Sequence, residues 1–95
     1  MIPSITITDL LQYTGLNIID IRSEQSYNNN HIPGAINIPF EKLIVNPEKY
    51  LNKDQKYFIY CQRDITSPRT CRILINKGYK AIDIIGGYEE WIMKK

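Results

Sequence analysis

The chain has 95 residues, 43% of them hydrophobic and 23% charged, with a formal net charge of +2 at pH 7. That balance suits one globular domain with a modest core and argues against disorder, and the scattered basic residues form no stripe for nucleic acid. No apolar run approaches the roughly 18 residues of a membrane span, and "MIPSITITDLLQY" has no basic leader before an apolar stretch, so the sequence predicts a cytoplasmic chain with no membrane attachment.

The segment "SITITDLLQY" begins with alternating Ile5 and Ile7, then takes helical spacing through Leu10 and Leu11 with Thr8 as a candidate N-cap. "LNIIDI", residues 16–21, is a nearly continuous apolar run, as a strand buried on both faces needs. "SEQSY" predicts a brief helix capped by Ser23, and Pro33-Gly34 marks a turn before a short strand at Ala35 to Ile38. "FEKLIVNPEKY" reads as a helix broken at Asn46-Pro47. "KYFIYC", residues 56–61, is the second buried strand. The next helix has clear boundary signals in "SPRTCRILINKG": Ser67 as N-cap, Pro68 at the first helical position and Gly78 past the end. "AIDII", residues 81–85, is a last strand, and "GGYEEWIMKK" supplies a turn and a terminal helix anchored by Trp91. Strands alternate with helices without repeat or linker, which predicts a single α/β domain over residues 1–95 with a mostly parallel sheet.

In such sheets the working edge lies beyond the carboxyl ends of the strands. Cys61, Asp20 and Arg22 all fall there. A free thiol has a pKa of about 8.5, so only about 3% is ionised at pH 7. A short loop from Cys61 into a helix at Ser67 can aim backbone N–H groups at the sulfur and stabilise an anion without a general base. The bland alternative is a small apolar residue finishing a buried strand. Two cysteines without a disulfide framework fit a reducing compartment, and with one histidine they are too few for a structural zinc site.

Three stretches in order, "IIDIRSEQSYNNNHIPGAINIP", "YFIYCQRDITS" and "GYKAIDIIGGYEEW", resemble the rhodanese-like, or sulfurtransferase, domain family. They carry its Asp-x-Arg after the second strand, its His-Ile-Pro-Gly-Ala turn, its strand-end Cys opening a short loop, and its Gly-Gly…Trp. The resemblance implies a rhodanese-like fold with a five-stranded parallel sheet flanked by helices. It implies that Cys61 accepts a sulfane sulfur as a persulfide from thiosulfate, a polysulfide or a protein persulfide, with no cofactor or metal. Cyanide, a thiol or a sulfur-relay protein then takes the sulfur. Gln62, Arg63, Asp64, Ile65, Thr66 and Ser67 become the anion-binding loop. Asp20 and Arg22 become a structural ion pair and loop anchor, and His31 ties its turn to neighbouring backbone. The expected state is a monomer or weak dimer.

The loop departs from the family's Cys-x-x-Gly-x-Arg-Ser at two positions, Asp64 and Thr66. Asp adopts the left-handed backbone less readily than Gly, and its carboxylate, if turned inward, would oppose a dianion such as thiosulfate. The sequence leaves that direction open. Arg63, Arg69 and Arg72 are candidates for the missing positive charge, Arg63 being inside the loop. Cys71 reads as a core cysteine, with a resolving thiol as the alternative. A Cys-x5-Arg phosphatase is disfavoured because Ser67 stands at the sixth position after Cys61. The rival of another class is a non-catalytic rhodanese-fold binding or regulatory module, which Asp64 favours and Cys61 opposes.

Overall fold

The computed structural model describes residues 1–95. Five strands, β1 (Ser4–Ile5), β2 (Ile18–Asp20), β3 (Ala35–Asn37), β4 (Lys56–Tyr60) and β5 (Lys80–Ile84), form one sheet in the order β1-β5-β4-β2-β3. Every neighbouring pair is parallel. The connections carry α1 (Ile7–Leu10), α2 (Glu24–Asn29), α3 (Phe40–Val45), a 3-10 turn (Pro47–Lys49) and α4 (Thr66–Asn76), and α5 (Gly87–Lys94) ends the chain. The expected α/β fold is therefore present with all five strands.

Side chains alternate across β4, which divides the core. Tyr57, Ile59 and Cys61 pack with Leu43, Cys71, Leu74 and Ala81 beneath α3 and α4. Tyr60 packs on the other face with Ile7, Leu10, Ile84 and Trp91. Trp91 is thus buried and anchors α5, as the sequence suggested. Period 2 places Cys61 on the same face as α4, and the next strand continues the logic: Ala81 and Asp83 both turn to that side.

Two helix starts differ from expectation. The side chain of Thr6, not Thr8, caps α1 by accepting from Asp9 N at 3.1 Å. Ser67 does not cap α4, which begins one residue earlier at Thr66 after Ile65. The Ser67 hydroxyl is drawn instead to the buried Asp83 at 2.5 Å, a charge-assisted bond stronger than a neutral cap. Ser23 does cap α2 as read, accepting from Ser26 N at 3.2 Å.

Candidate active site

β2 and β4 lie side by side with Asp20 opposite Tyr60. From β2 the chain moves outward to β3, then returns to the far side of β2 to enter β4. That reversal opens the topological switch point at the strands' carboxyl ends, where α/β sheets place their ligands. Cys61 leaves β4 into this crevice.

Its sulfur is cradled on one side by the first turn of α4. Ser67 N donates to Cys61 Sγ at 3.3 Å, and Ser67 Oγ lies 3.4 Å from the same sulfur. The backbone N–H groups of Gln62, Arg63, Asp64, Ile65 and Thr66 have no acceptor within the chain. Amides in that condition are donors for a bound anion. Cys61 as a whole is 6% exposed, so little of it is open to an incoming group. The wider clefts of the surface lie elsewhere, the largest, about 730 Å³, being lined by Ser4, Asn17 and Lys56 at the opposite strand edge.

The loop is fastened at its base by α5. Tyr88 N donates to Cys61 O at 2.9 Å and Glu89 N to Gln62 O at 3.1 Å. A Cβ on Gly87 would stand 2.5 Å from Cys61 O, so only glycine allows this approach.

Arg22 ties β2 to the loop. Its guanidinium pairs with Asp20 at 2.8 Å, donates to Gln62 Oε1 at 3.1 Å and to Asn30 O at 2.7 Å, and lies 4.0 Å from the Tyr88 ring centroid. Burial alone would lower the Arg22 pKa, but the hydrogen bonds and charge of Asp20 outweigh it and hold it above its ordinary value. Asp20 also accepts from Tyr60 Oη at 2.6 Å, and Tyr60 Oη accepts from Ile32 N. Burial, then this bond, pushes the Tyr60 phenol upward. His31 belongs to the same wall: its ring stacks on Tyr27 at 3.8 Å and Nδ1 lies 2.8 Å from Tyr27 O, which requires the proton on Nδ1.

Asp64 turns inward. At φ 67 it is the one non-glycine residue with a left-handed backbone, and Ser67 Oγ lies 3.2 Å from its Oδ1. Asp83, 3% exposed on β5, meets the same hydroxyl. Burial, then a hydrogen bond with Asp64, pushes the Asp83 carboxyl up to about 7, with the Ser67 hydroxyl working against the shift. Arg63 faces the other way, pairing with Glu89 at 3.0 Å on the surface. Ile65 stands 61% exposed at the loop tip. Thr66 opens α4, and its carbonyl accepts from Thr70 Oγ1 at 2.9 Å. Arg69 and Arg72 are exposed. Cys71 is fully buried in the core, where burial first and the nearby carboxylates second push its thiol up to about 12.

Sequence reasoning did not single out Asp83, Tyr60, Asn37 or Tyr88. Asp83 had a signal, an acidic residue inside the apolar run "AIDII". So did Asn37 in "AINIP", whose amide donates to Asp20 O and Arg22 O. No cluster of three or more His, Cys, Asp or Glu side chains is placed to hold a metal ion.

The fold is a parallel α/β sheet whose switch point holds a thiol over a short loop of free amides. The profile of the Rhodanese-like domain family matches residues 6–94. The chain is 31% identical over 84 residues to the thiosulfate sulfurtransferase GlpE of Coxiella burnetii, covering 87% of this chain and 78% of that one. Among solved structures, a rhodanese-related protein from Thermoplasma volcanium superposes with a TM-score of 0.88 at 28% identity, over 97% of this chain and 92% of the other. A protein from Staphylococcus saprophyticus does so with a TM-score of 0.85 at 31% identity, over 95% of this chain and 93% of that one. The chain belongs to the rhodanese-like domain family.

Proposed function

We propose that this chain is a sulfurtransferase carrying sulfane sulfur on Cys61, and that its preferred donors are persulfide or polysulfide monoanions rather than thiosulfate. The observation that carries the reading is the Ser67 N–H directed at Cys61 Sγ at the head of α4, with five unpartnered amides in the loop leading to it. Thiolate and persulfide are both anions, and such donors stabilise both. The thiolate attacks the outer sulfur of R–S–S⁻; the donor's S–S bond breaks, R–S⁻ leaves with the electron pair, and Cys61–S–S⁻ forms. A thiolate, cyanide or the thiol of a partner protein then takes the outer sulfur and returns Cys61 to its thiolate. No external oxidant or reductant enters either step.

The donor preference follows from charge. At an effective dielectric near 20, a unit charge about 6 Å away costs an incoming unit charge about 3 kcal/mol before screening. A dianion meets that penalty twice over from the inward carboxylate of Asp64, and Asp83 adds to it only while ionised, whereas Arg63, which could offset them, is engaged by Glu89. The same two carboxyls favour the second reading, a binding module that has kept the cysteine as a core residue.

Intact mass after incubating reduced protein with thiosulfate, and separately with an organic polysulfide R–Sₙ–S⁻ that carries one charge, tests both. The expected result is addition of one sulfur from polysulfide, removable by cyanide and absent in Cys61→Ala, with little addition from thiosulfate. No addition from either donor would sink the sulfurtransferase reading and leave the binding module.

A further inference from the structure

Ser67 has one hydroxyl hydrogen and three acceptors around it: Asp83 Oδ1 at 2.5 Å, Asp64 Oδ1 at 3.2 Å and Cys61 Sγ at 3.4 Å. One hydrogen serves one of them at a time, and the shortest contact gives it to Asp83. Ser67 Oγ then shows lone pairs to the sulfur, which suit a thiol S–H and oppose a sulfur anion. No Lys, Arg or His lies within ion-pair distance of Asp83. The titratable groups facing it are Asp64 from the loop and Cys71 from α4, with Cys61 at the end of β4 reaching it through the Ser67 hydroxyl. β1 presents only Ser4 and the Pro3 carbonyl.

We propose that Asp83 is a positioning residue that decides, through the Ser67 hydroxyl, whether Cys61 Sγ is held as a thiol or as an anion. With Asp83 ionised, the hydroxyl is committed to it and Cys61 keeps its proton. With Asp83 protonated, its own O–H donates within the cluster and the Ser67 hydroxyl turns to the sulfur. The inference rests on Cys61 as the sulfur carrier and couples a proton to that step. On loading, Cys61–SH, R–S–S⁻ and ionised Asp83 become Cys61–S–S⁻, R–S⁻ and protonated Asp83. The thiol proton passes to Ser67 Oγ while the Ser67 proton passes to Asp83, so the cluster gains a sulfur atom with its net charge unchanged. On unloading, R′–S⁻ leaves as R′–S–S⁻ and the Cys61 thiolate recovers its proton by the reverse path. The upward shift of the Asp83 carboxyl, caused first by burial and then by Asp64, places this exchange near neutral pH.

The test is the rate of Cys61 alkylation by iodoacetamide against pH, with no sulfur donor present, in the wild type, Asp83→Asn, Ser67→Ala and the double variant. The wild-type rate should rise in two steps, the first near neutrality. Asp83→Asn mimics the protonated carboxyl and should rise in one step, reacting up to about twofold faster than wild type at pH 7 and up to about tenfold faster at pH 8. Ser67→Ala should react more slowly, and the double variant should lose the gain. A single-step wild-type profile overturns the proposal, as does a rate in Asp83→Asn no higher than wild type, or a gain that survives intact without the hydroxyl. The wild-type profile decides even if a variant does not fold. A two-step profile in a protein that never accepts sulfur would count against the proposed function alone.

Discussion

Arg22 Nη1 donates to Gln62 Oε1 at 3.1 Å, so the side chain that follows β2 also holds the first residue of the loop after Cys61. The same guanidinium neutralises Asp20, whose carboxylate is 0% exposed. Arg22→Ala leaves that charge buried without a cation, and the expected loss is about 3–5 kcal/mol. Against an ordinary domain stability of roughly 5–15 kcal/mol, that approaches unfolding. Arg22→Lys keeps a charge but cannot reach Asp20, Gln62 and Asn30 together with one ammonium. It should fold with a lower denaturation midpoint in guanidinium chloride and load sulfur more slowly. A Lys variant as stable and as fast as wild type would show that the fork is dispensable.

Gly87 is the second fastening. Its φ of 62 and the 2.5 Å separation between a built Cβ and Cys61 O leave no room for a side chain. Gly87→Ala should push the start of α5 from the loop, breaking Tyr88 N to Cys61 O and Glu89 N to Gln62 O. The expected outcome is a destabilisation of about 1–3 kcal/mol together with reduced persulfide formation per folded molecule. Hydrogen exchange checks it directly: the Tyr88 and Glu89 amides should lose protection in the variant while the β4 amides keep theirs.

What was legible in the sequence was whatever local chemistry decides. The Ile-rich runs around Ile19 and Ile59 gave the buried strands because both faces of a parallel sheet are covered. Cys61, Asp20 and Arg22 were placed at one edge because strand direction puts them there. The direction of Asp64 was not legible, since it depends on Asp83 arriving from β5, nineteen positions further along the chain. The N-cap assigned to Ser67 failed for the same reason: a buried carboxyl competes for the hydroxyl, and no local rule contains that partner. Tyr60 was hidden similarly, being one more apolar letter in "YFIYC" until its hydroxyl met Asp20.

Asp64→Gly tests the origin of donor preference. The substitution removes an inward carboxylate and replaces a side chain held at φ 67, a backbone region that costs a non-glycine residue about 1 kcal/mol. Thiosulfate loading of Cys61 should rise by roughly ten- to a hundredfold, which is what solvent screening leaves of the repulsion between one carboxylate at about 6 Å and a dianion. Loading from polysulfide should change far less. Initial rates of cyanide-dependent sulfur release with each donor provide the comparison, and an equal gain for both donors would assign the effect to loop geometry rather than charge.

Asp83 also gives the fold a pH dependence of definite sign. Its carboxyl titrates at about 7 in the folded chain, against an ordinary value of 3.8, because burial and Asp64 favour the neutral form. Between those values the folded state holds a proton that the unfolded state has released. Stability therefore falls as pH rises from about 4 through about 7 and levels off above, the reverse of an ion-paired carboxylate. A shift of this size corresponds to on the order of 4 kcal/mol across the full window. For a domain of this length that is a change in Tm of roughly 15–30 °C over the full window. Thermal melts at pH 5 and pH 8 should show the wild type more stable at the lower pH by more than Asp83→Asn is, because Asn has nothing to titrate. The difference between the two proteins removes His31 and the surface carboxylates from the comparison. Parallel pH profiles would mean that Asp83 carries its charge in the core without penalty, with its compensation lying outside the Ser67 and Asp64 contacts.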